Sequence, residues 1–161
     1  MIKLTLLIEG KLEQAEEFAK TSHSGQLRST GEAYITHPKK VAKLCKKLGL
    51  GEVEQIVAWL HDTVEDSKNP AEIETQIKQM FGNKVLAFVK LLTHRRGDPY
   101  KEYVLILAKK SHKALNIKLC DMYVNLHDKP NPRQKIKYLK TLVYLEDNGI
   151  DIGPKFKKLF K

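Results

Sequence analysis

A chain of 161 residues with 42% hydrophobic residues and a net charge of +10 has the size and apolar content of one cored domain. No apolar run reaches the length of a membrane span. The N-terminal Met1-Ile2-Lys3-Leu4-Thr5-Leu6-Leu7 is short in apolar residues and lacks the small-residue cleavage site of a signal peptide. The expectation is a cytoplasmic protein without a membrane partner. The basic balance fits nucleic acid, an anionic surface or a small polyphosphate. The lysines, however, are spread along every predicted helix, so a solvated face is the default reading and nucleic acid is not the expected partner. Cys45 and Cys120 stand in apolar helical contexts without Cys-x-x-Cys spacing and read as buried free thiols.

In chain order, Leu4, Leu7, Ile8, Leu12, Ala15, Phe18 and Ala19 carry a helical period that ends near Ser22 and is interrupted at Gly10. Residues 23–37 hold two glycines and several hydroxyls with little periodicity, a loop long enough to be functional. Pro38 then opens a helix through Val41, Ala42, Leu44, Cys45 and Leu48 that stops at Gly49. A further helix is expected over residues 52–67. Asn69-Pro70 starts the next one, through Ile73, Ile77, Met80 and Phe81, and Asn83 starts another after Gly82. His94-Arg95-Arg96-Gly97-Asp98-Pro99 is a basic turn, and residues 100–110 and 112–127 read as two helices. After Pro130-Asn131-Pro132, a last amphipathic helix uses Ile136, Leu139, Leu142, Val143 and Leu145 and ends near Gly149. No stretch alternates as a strand should. The reading is an all-α domain of about eight helices over residues 1–150, followed by a loosely held basic tail, 151–161.

Two stretches carry chemistry. His61-Asp62-Thr63-Val64-Glu65-Asp66 packs one imidazole and three carboxylates behind the apolar Ile56-Val57-Ala58-Trp59-Leu60. Continued helix would stack His61 over Glu65, and Asp62 over Glu65 and Asp66. So much ligating and acidic chemistry at the end of a buried helix suits a divalent ion, and His plus carboxylate is a set for Mn, Fe or Zn. Surface or helix-end polar groups are the plainer reading of the same residues. In Ile117-Lys118-Leu119-Cys120-Asp121, a lone carboxylate sits in an apolar helical run with Asn125 one turn later. Such a carboxylate must be paired, hydrogen-bonded or metal-bound. A partner lysine, a capping role and a metal all remain open for it.

The order His…His-Asp…Asp resembles the HD-domain metal phosphohydrolases, and among them the hydrolase domain of the RelA/SpoT family of guanosine tetraphosphate enzymes. His23-Ser24-Gly25-Gln26-Leu27-Arg28 through Gly31-Glu32-Ala33-Tyr34-Ile35-Thr36-His37-Pro38 resembles that family's H-x-G-Q-x-R…G-E-P-Y-x-x-H-P. Leu60-His61-Asp62-Thr63-Val64-Glu65-Asp66 resembles its L-H-D-x-V-E-D, Phe81-Gly82 its F-G, and Lys118-Leu119-Cys120-Asp121 with Asn125 its K-L-A-D-x-x-x-N. The resemblance implies Mn²⁺, or another divalent transition metal, on His37, His61, Asp62 and Asp121, with Glu65 and Asp66 serving the hydrolytic water. It implies Arg28 on the guanine base and Asn125 on the nucleotide sugar, and reads His23 as a residue that fixes the loop. Tyr34 supports the loop, lines the pocket or fills the core. The implied reaction removes the 3′-pyrophosphate of ppGpp or pppGpp.

Ala33, Ser29, Met122 and His127-Asp128 depart from the family pattern, the last three beside the implied nucleotide pocket, while the metal set is intact. The expected partner is therefore a small nucleotide, with the oligomeric state left unassigned. The alternatives are an HD phosphohydrolase of another nucleotide (a dNTP, pppApp or NADPH) and a nucleotide-binding HD module without turnover. The length resembles that of the stand-alone small alarmone hydrolases.

Overall fold

The computed structural model of the chain describes residues 10–161, so the apolar positions expected at Leu4, Leu7 and Ile8 lie outside the described residues. Among the described residues the regular structure is helical: α1 (Lys11–Ser22), α2 (Thr36–Lys47), α3 (Glu52–Leu60), α4 (Pro70–Phe81), α5 (Asn83–Leu92), α6 (Tyr100–Lys110), α7 (His112–His127), α8 (Pro132–Asp147) and α9 (Gly153–Leu159). The all-α expectation is borne out. None of the described helices is long and apolar enough to cross a membrane. The chain forms two compact units, one running through Thr93 and the other starting at His94.

In the first unit α1, α2 and α5 pack against α3, and α4 packs against α5. The reason is compositional. Ile56, Val57, Ala58, Trp59 and Leu60 are all buried, and a helix that is apolar on every side must be surrounded. Burying Ile56, Val57 and Leu60 contributes roughly 1.5–3 kcal/mol each relative to exposure. α2 begins at Thr36, two residues ahead of Pro38, which sets His37 in its first turn. Gly82 joins α4 to α5 at φ 89°, ψ 173°, a conformation open in practice to glycine, and α5 can therefore start at the next residue.

α3 stops at Leu60 and does not run to Ser67. The Ala58 carbonyl accepts from His61 Nδ1 at 2.7 Å, and the Leu60 carbonyl accepts from Thr63 Oγ1 at 2.7 Å. Side chains bonded to nearby carbonyls compete with the helical ladder, and here they turn residues 61–66 out of it. The expected helical stacking of His61 over Glu65 is thus replaced by a turn. Within it the Asp66 amide still donates to the Asp62 carbonyl at 3.0 Å.

In the second unit α6, α7 and α8 pack against one another. α7 is the deeply buried member, with Leu115, Ile117, Leu119, Cys120 and Met122 fully covered. Ser111 Oγ caps it by accepting from the Ala114 amide at 3.1 Å. Asn131 and Gln134 form a reciprocal capping box at the start of α8, immediately after the Pro130 break. The expected apolar face of α8 holds at Leu145 and is corrected at Ile136, Leu139 and Val143, which are 52%, 46% and 57% exposed; the buried residues are Tyr138, Thr141 and Leu145. Both triplets have the same i, i+3, i+7 spacing, and the one bearing the Tyr138 ring, which packs 5.7 Å from Tyr100, is turned inward. The tail is corrected too. Residues 153–159 form α9, Phe156 is buried, and Lys157 pairs with Asp151 at 2.9 Å.

Candidate active site

The first unit brings His37, His61 and Asp62 together. Asp62 Oδ2 lies 3.0 Å from His61 Nε2 and 3.8 Å from His37 Nε2, and the two imidazole rings are 5.4 Å apart at 63°. Both histidines are buried. A carbonyl only accepts, so the bond from His61 Nδ1 to the Ala58 oxygen puts the ring proton on Nδ1. Nε2 is therefore the ring nitrogen that faces the carboxylate oxygen, as a lone pair if His61 is neutral. Two acceptors 3.0 Å apart call for a cation or a proton between them. Buried imidazole and carboxylate donors with a backbone-fixed tautomer fit a divalent metal.

Tyr34 has a role that the sequence left open. Its hydroxyl donates to Asp62 Oδ2 at 2.7 Å. The loop that carries it is built by backbone bonds from Arg28 N to Glu32 O at 2.8 Å and from Tyr34 N to Gln26 O at 2.9 Å. His23 Nδ1 bonds Gln26 Oε1 at 2.9 Å, and its ring lies 4.7 Å from that of Tyr34. Burial lowers the pKa of His23, against the pull of the Gln26 bond. His23 is thus a neutral brace behind Tyr34. Arg28 lies half-buried in the same loop.

Glu65 and Asp66 follow on the turn, both reaching solvent. Asp66 is nonetheless crowded by protein on its other sides. That desolvation, then the negative charge of Asp62, raises its pKa from 3.8 to about 6, with the Tyr34 hydroxyl pulling the other way. A carboxyl of this kind can exchange a proton near neutrality.

Asp121 stands in the second unit, on the buried face of α7. Lys118 Nζ donates to its Oδ2 at 2.7 Å, so the partner lysine left open by the sequence is present. Asn125 Nδ2 donates to its Oδ1 at 2.8 Å, which makes Asn125 a neighbour of the carboxylate. Burial lowers the affinity of Lys118 for its proton, but the Asp121 charge outweighs this and holds the pKa well above the ordinary lysine value. Neither Tyr34 nor Lys118 was assigned a site role from the sequence. The signals were there, a tyrosine inside the Gly31-to-His37 signature and a lysine three residues before a carboxylate in an apolar run.

Residues 15–129 match the family model of the HD domain. Over 124 residues the chain is 35% identical to a guanosine-3′,5′-bis(diphosphate) 3′-pyrophosphohydrolase of Aquifex aeolicus, a match that covers 72% of this chain and 17% of the relative. It is 40% identical over 80 residues to the bifunctional (p)ppGpp synthase/hydrolase SpoT of Escherichia coli K12, covering 50% and 11%. The chain therefore spans less than a fifth of these relatives' length. Among solved structures it resembles a metazoan ortholog of SpoT described as hydrolysing ppGpp, with a TM-score of 0.75, 23% identity and 94% of both chains covered. That likeness supports the fold. Because the family match runs unbroken from before His37, through His61-Asp62, to beyond Asp121, the chain belongs to the HD domain family.

Proposed function

We propose that this chain is a metal-dependent pyrophosphohydrolase that removes the 3′-diphosphate of guanosine tetra- or pentaphosphate. The observation that carries this reading is the convergence of His37 and His61 Nε2 on one Asp62 oxygen, with Glu65 and Asp66 one turn on. The names of the relatives supply the substrate class. In this reading, which follows the family resemblance, His37, His61, Asp62 and Asp121 hold one divalent ion, Mn²⁺ or a close competitor. The ion, when bound, supplies Lewis acidity toward a phosphate oxygen and acidifies water.

The chain's own residues do the rest. Glu65 orients the attacking water and Asp66 takes its proton, a contribution of about 100- to 10,000-fold. Arg28 lays its planar guanidinium against the base, and the Asn125 carboxamide reaches the ribose. Water oxygen bonds to phosphorus, the bond from that phosphorus to the 3′ oxygen breaks, and the proton taken by Asp66 passes to the departing 3′ oxygen, so the nucleotide leaves with a free 3′-hydroxyl beside pyrophosphate.

The test is product analysis with purified protein, Mn²⁺ and ppGpp. GDP and pyrophosphate in equal amounts, lost in His61→Ala, are expected. Glu65→Gln should abolish turnover and keep nucleotide affinity near wild type. Intact ppGpp with metal-loaded protein would move the assignment to another nucleotide, with Ser29 and Met122 the first positions to change. Orthophosphate as product would mean monoester hydrolysis.

A further inference from the structure

Among the described residues Lys118 is the one buried lysine. Its Nζ and Asp121 Oδ2 are 2.7 Å apart, with side chains only 8% and 6% exposed. Its other sides face aromatic rings, with the Tyr100 and Tyr103 centroids 5.4 and 5.6 Å from Nζ. Tyr100 is half-buried and packs against Tyr103 and Tyr138. Water is therefore largely shut out, and the ammonium is held by one carboxylate and two ring faces.

The spacing matters as much as the distance. Lys118 and Asp121 are three residues apart on α7, so the pair forms whenever the helix forms and needs nothing brought from elsewhere. A buried carboxylate without such a partner is strongly destabilising, whereas a divalent ion at the same carboxylate would meet a like charge on the neighbouring oxygen. The two cations compete for one anion.

We propose that Lys118 is a built-in counter-ion for Asp121, which keeps the metal-free protein folded and correspondingly weakens its hold on a divalent ion. This rests on the reading above that Asp121 is a metal ligand. Lys118 touches neither substrate nor reacting atoms in this account, and it acts only through Asp121.

The experiment compares wild type, Lys118→Met, Asp121→Asn and the double variant, each as the full chain. Thermal unfolding is measured after chelation and again with excess Mn²⁺, and Mn²⁺ affinity is read from the magnetic resonance signal of the free ion. Metal-free Lys118→Met should lose roughly 10 °C or more in Tm, and the double variant should regain most of it, because removing both charges leaves neither unpaired. Mn²⁺ should bind Lys118→Met about fivefold or more tighter than wild type and raise its Tm further.

A metal-free Lys118→Met as stable as wild type, or one with unchanged or weaker Mn²⁺ affinity, overturns the proposal. Should Lys118→Met fail to fold without metal, the double variant decides. Recovery supports the counter-ion, and an equal failure reduces Lys118 to core packing and overturns it. Asp121→Asn separates the two readings. If it keeps the full Mn²⁺-induced shift, Asp121 is not a ligand and the site assignment fails, while the metal-free loss in Lys118→Met still reports on the ion pair.

Discussion

Tyr34→Phe removes a hydroxyl that donates to Asp62 and also draws down the pKa of Asp66. The phenol oxygen is 2.7 Å from Asp62 Oδ2, the same oxygen on which both histidine Nε2 atoms converge. Hydrogen bonds to ionised groups contribute about 1.5–3 kcal/mol. The Asp62 side chain is 16% exposed, so water recovers part of the loss and the low end applies. About 1.4 kcal/mol is tenfold in an equilibrium constant, at the edge of the 10- to 100-fold range for groups that orient metal ligands. The Phe ring keeps the packing against His23, 4.7 Å away, so the fold should hold.

The assay is the Mn²⁺ concentration giving half-maximal pyrophosphate release, alongside direct Mn²⁺ binding. Both should weaken by about tenfold, with turnover at saturating metal within a few-fold of wild type. Unchanged metal dependence with a collapsed turnover would refute the reasoning, since the hydroxyl would then be acting through Asp66, substrate or water and not through Asp62.

Asp66→Asn should stabilise the metal-free protein at neutral pH. Folded Asp66 keeps its proton up to about pH 6, against an ordinary 3.8, so the folded state binds more protons in that window and loses stability as pH rises through it. The variant's Tm should exceed wild type at pH 7.5 and match it by about pH 4, and a gain persisting at low pH would contradict the assignment. Phe156→Ala should cost about 3 kcal/mol in urea unfolding, the loss typical of a buried ring, whereas a loose tail would show none. Ile136→Ser and Val143→Ser should each change stability by less than about 0.5 kcal/mol, because both side chains stand more than half exposed, and a loss of several kcal/mol would show that face to be covered.

The helices of this chain were legible because apolar periodicity, proline and glycine act locally. Residues 100–110 and 112–127 were read to their observed ends from these signals. The family was legible from the loop signature and the His61-Asp62 pair, which are strings of residues and need no coordinates. Periodicity does not say which of two equivalent stripes turns inward. On α8 the Ile136 and Tyr138 triplets share one spacing, and ring packing on Tyr100 decided between them. Nor does propensity foresee the end of α3, where His61 and Thr63 side chains take the carbonyls that further helix would use.

The same limit holds for the candidate site. Sequence by itself supplied the candidate donors His37, His61 and Asp62, since only a few residue types can do that chemistry. Tertiary structure decided what surrounds them, namely the Tyr34 hydroxyl on Asp62 across 28 residues of sequence and the crowding that lifts Asp66. Hydrogen-bond reach and desolvation depend on distances between segments, and those distances exist only once the chain is packed.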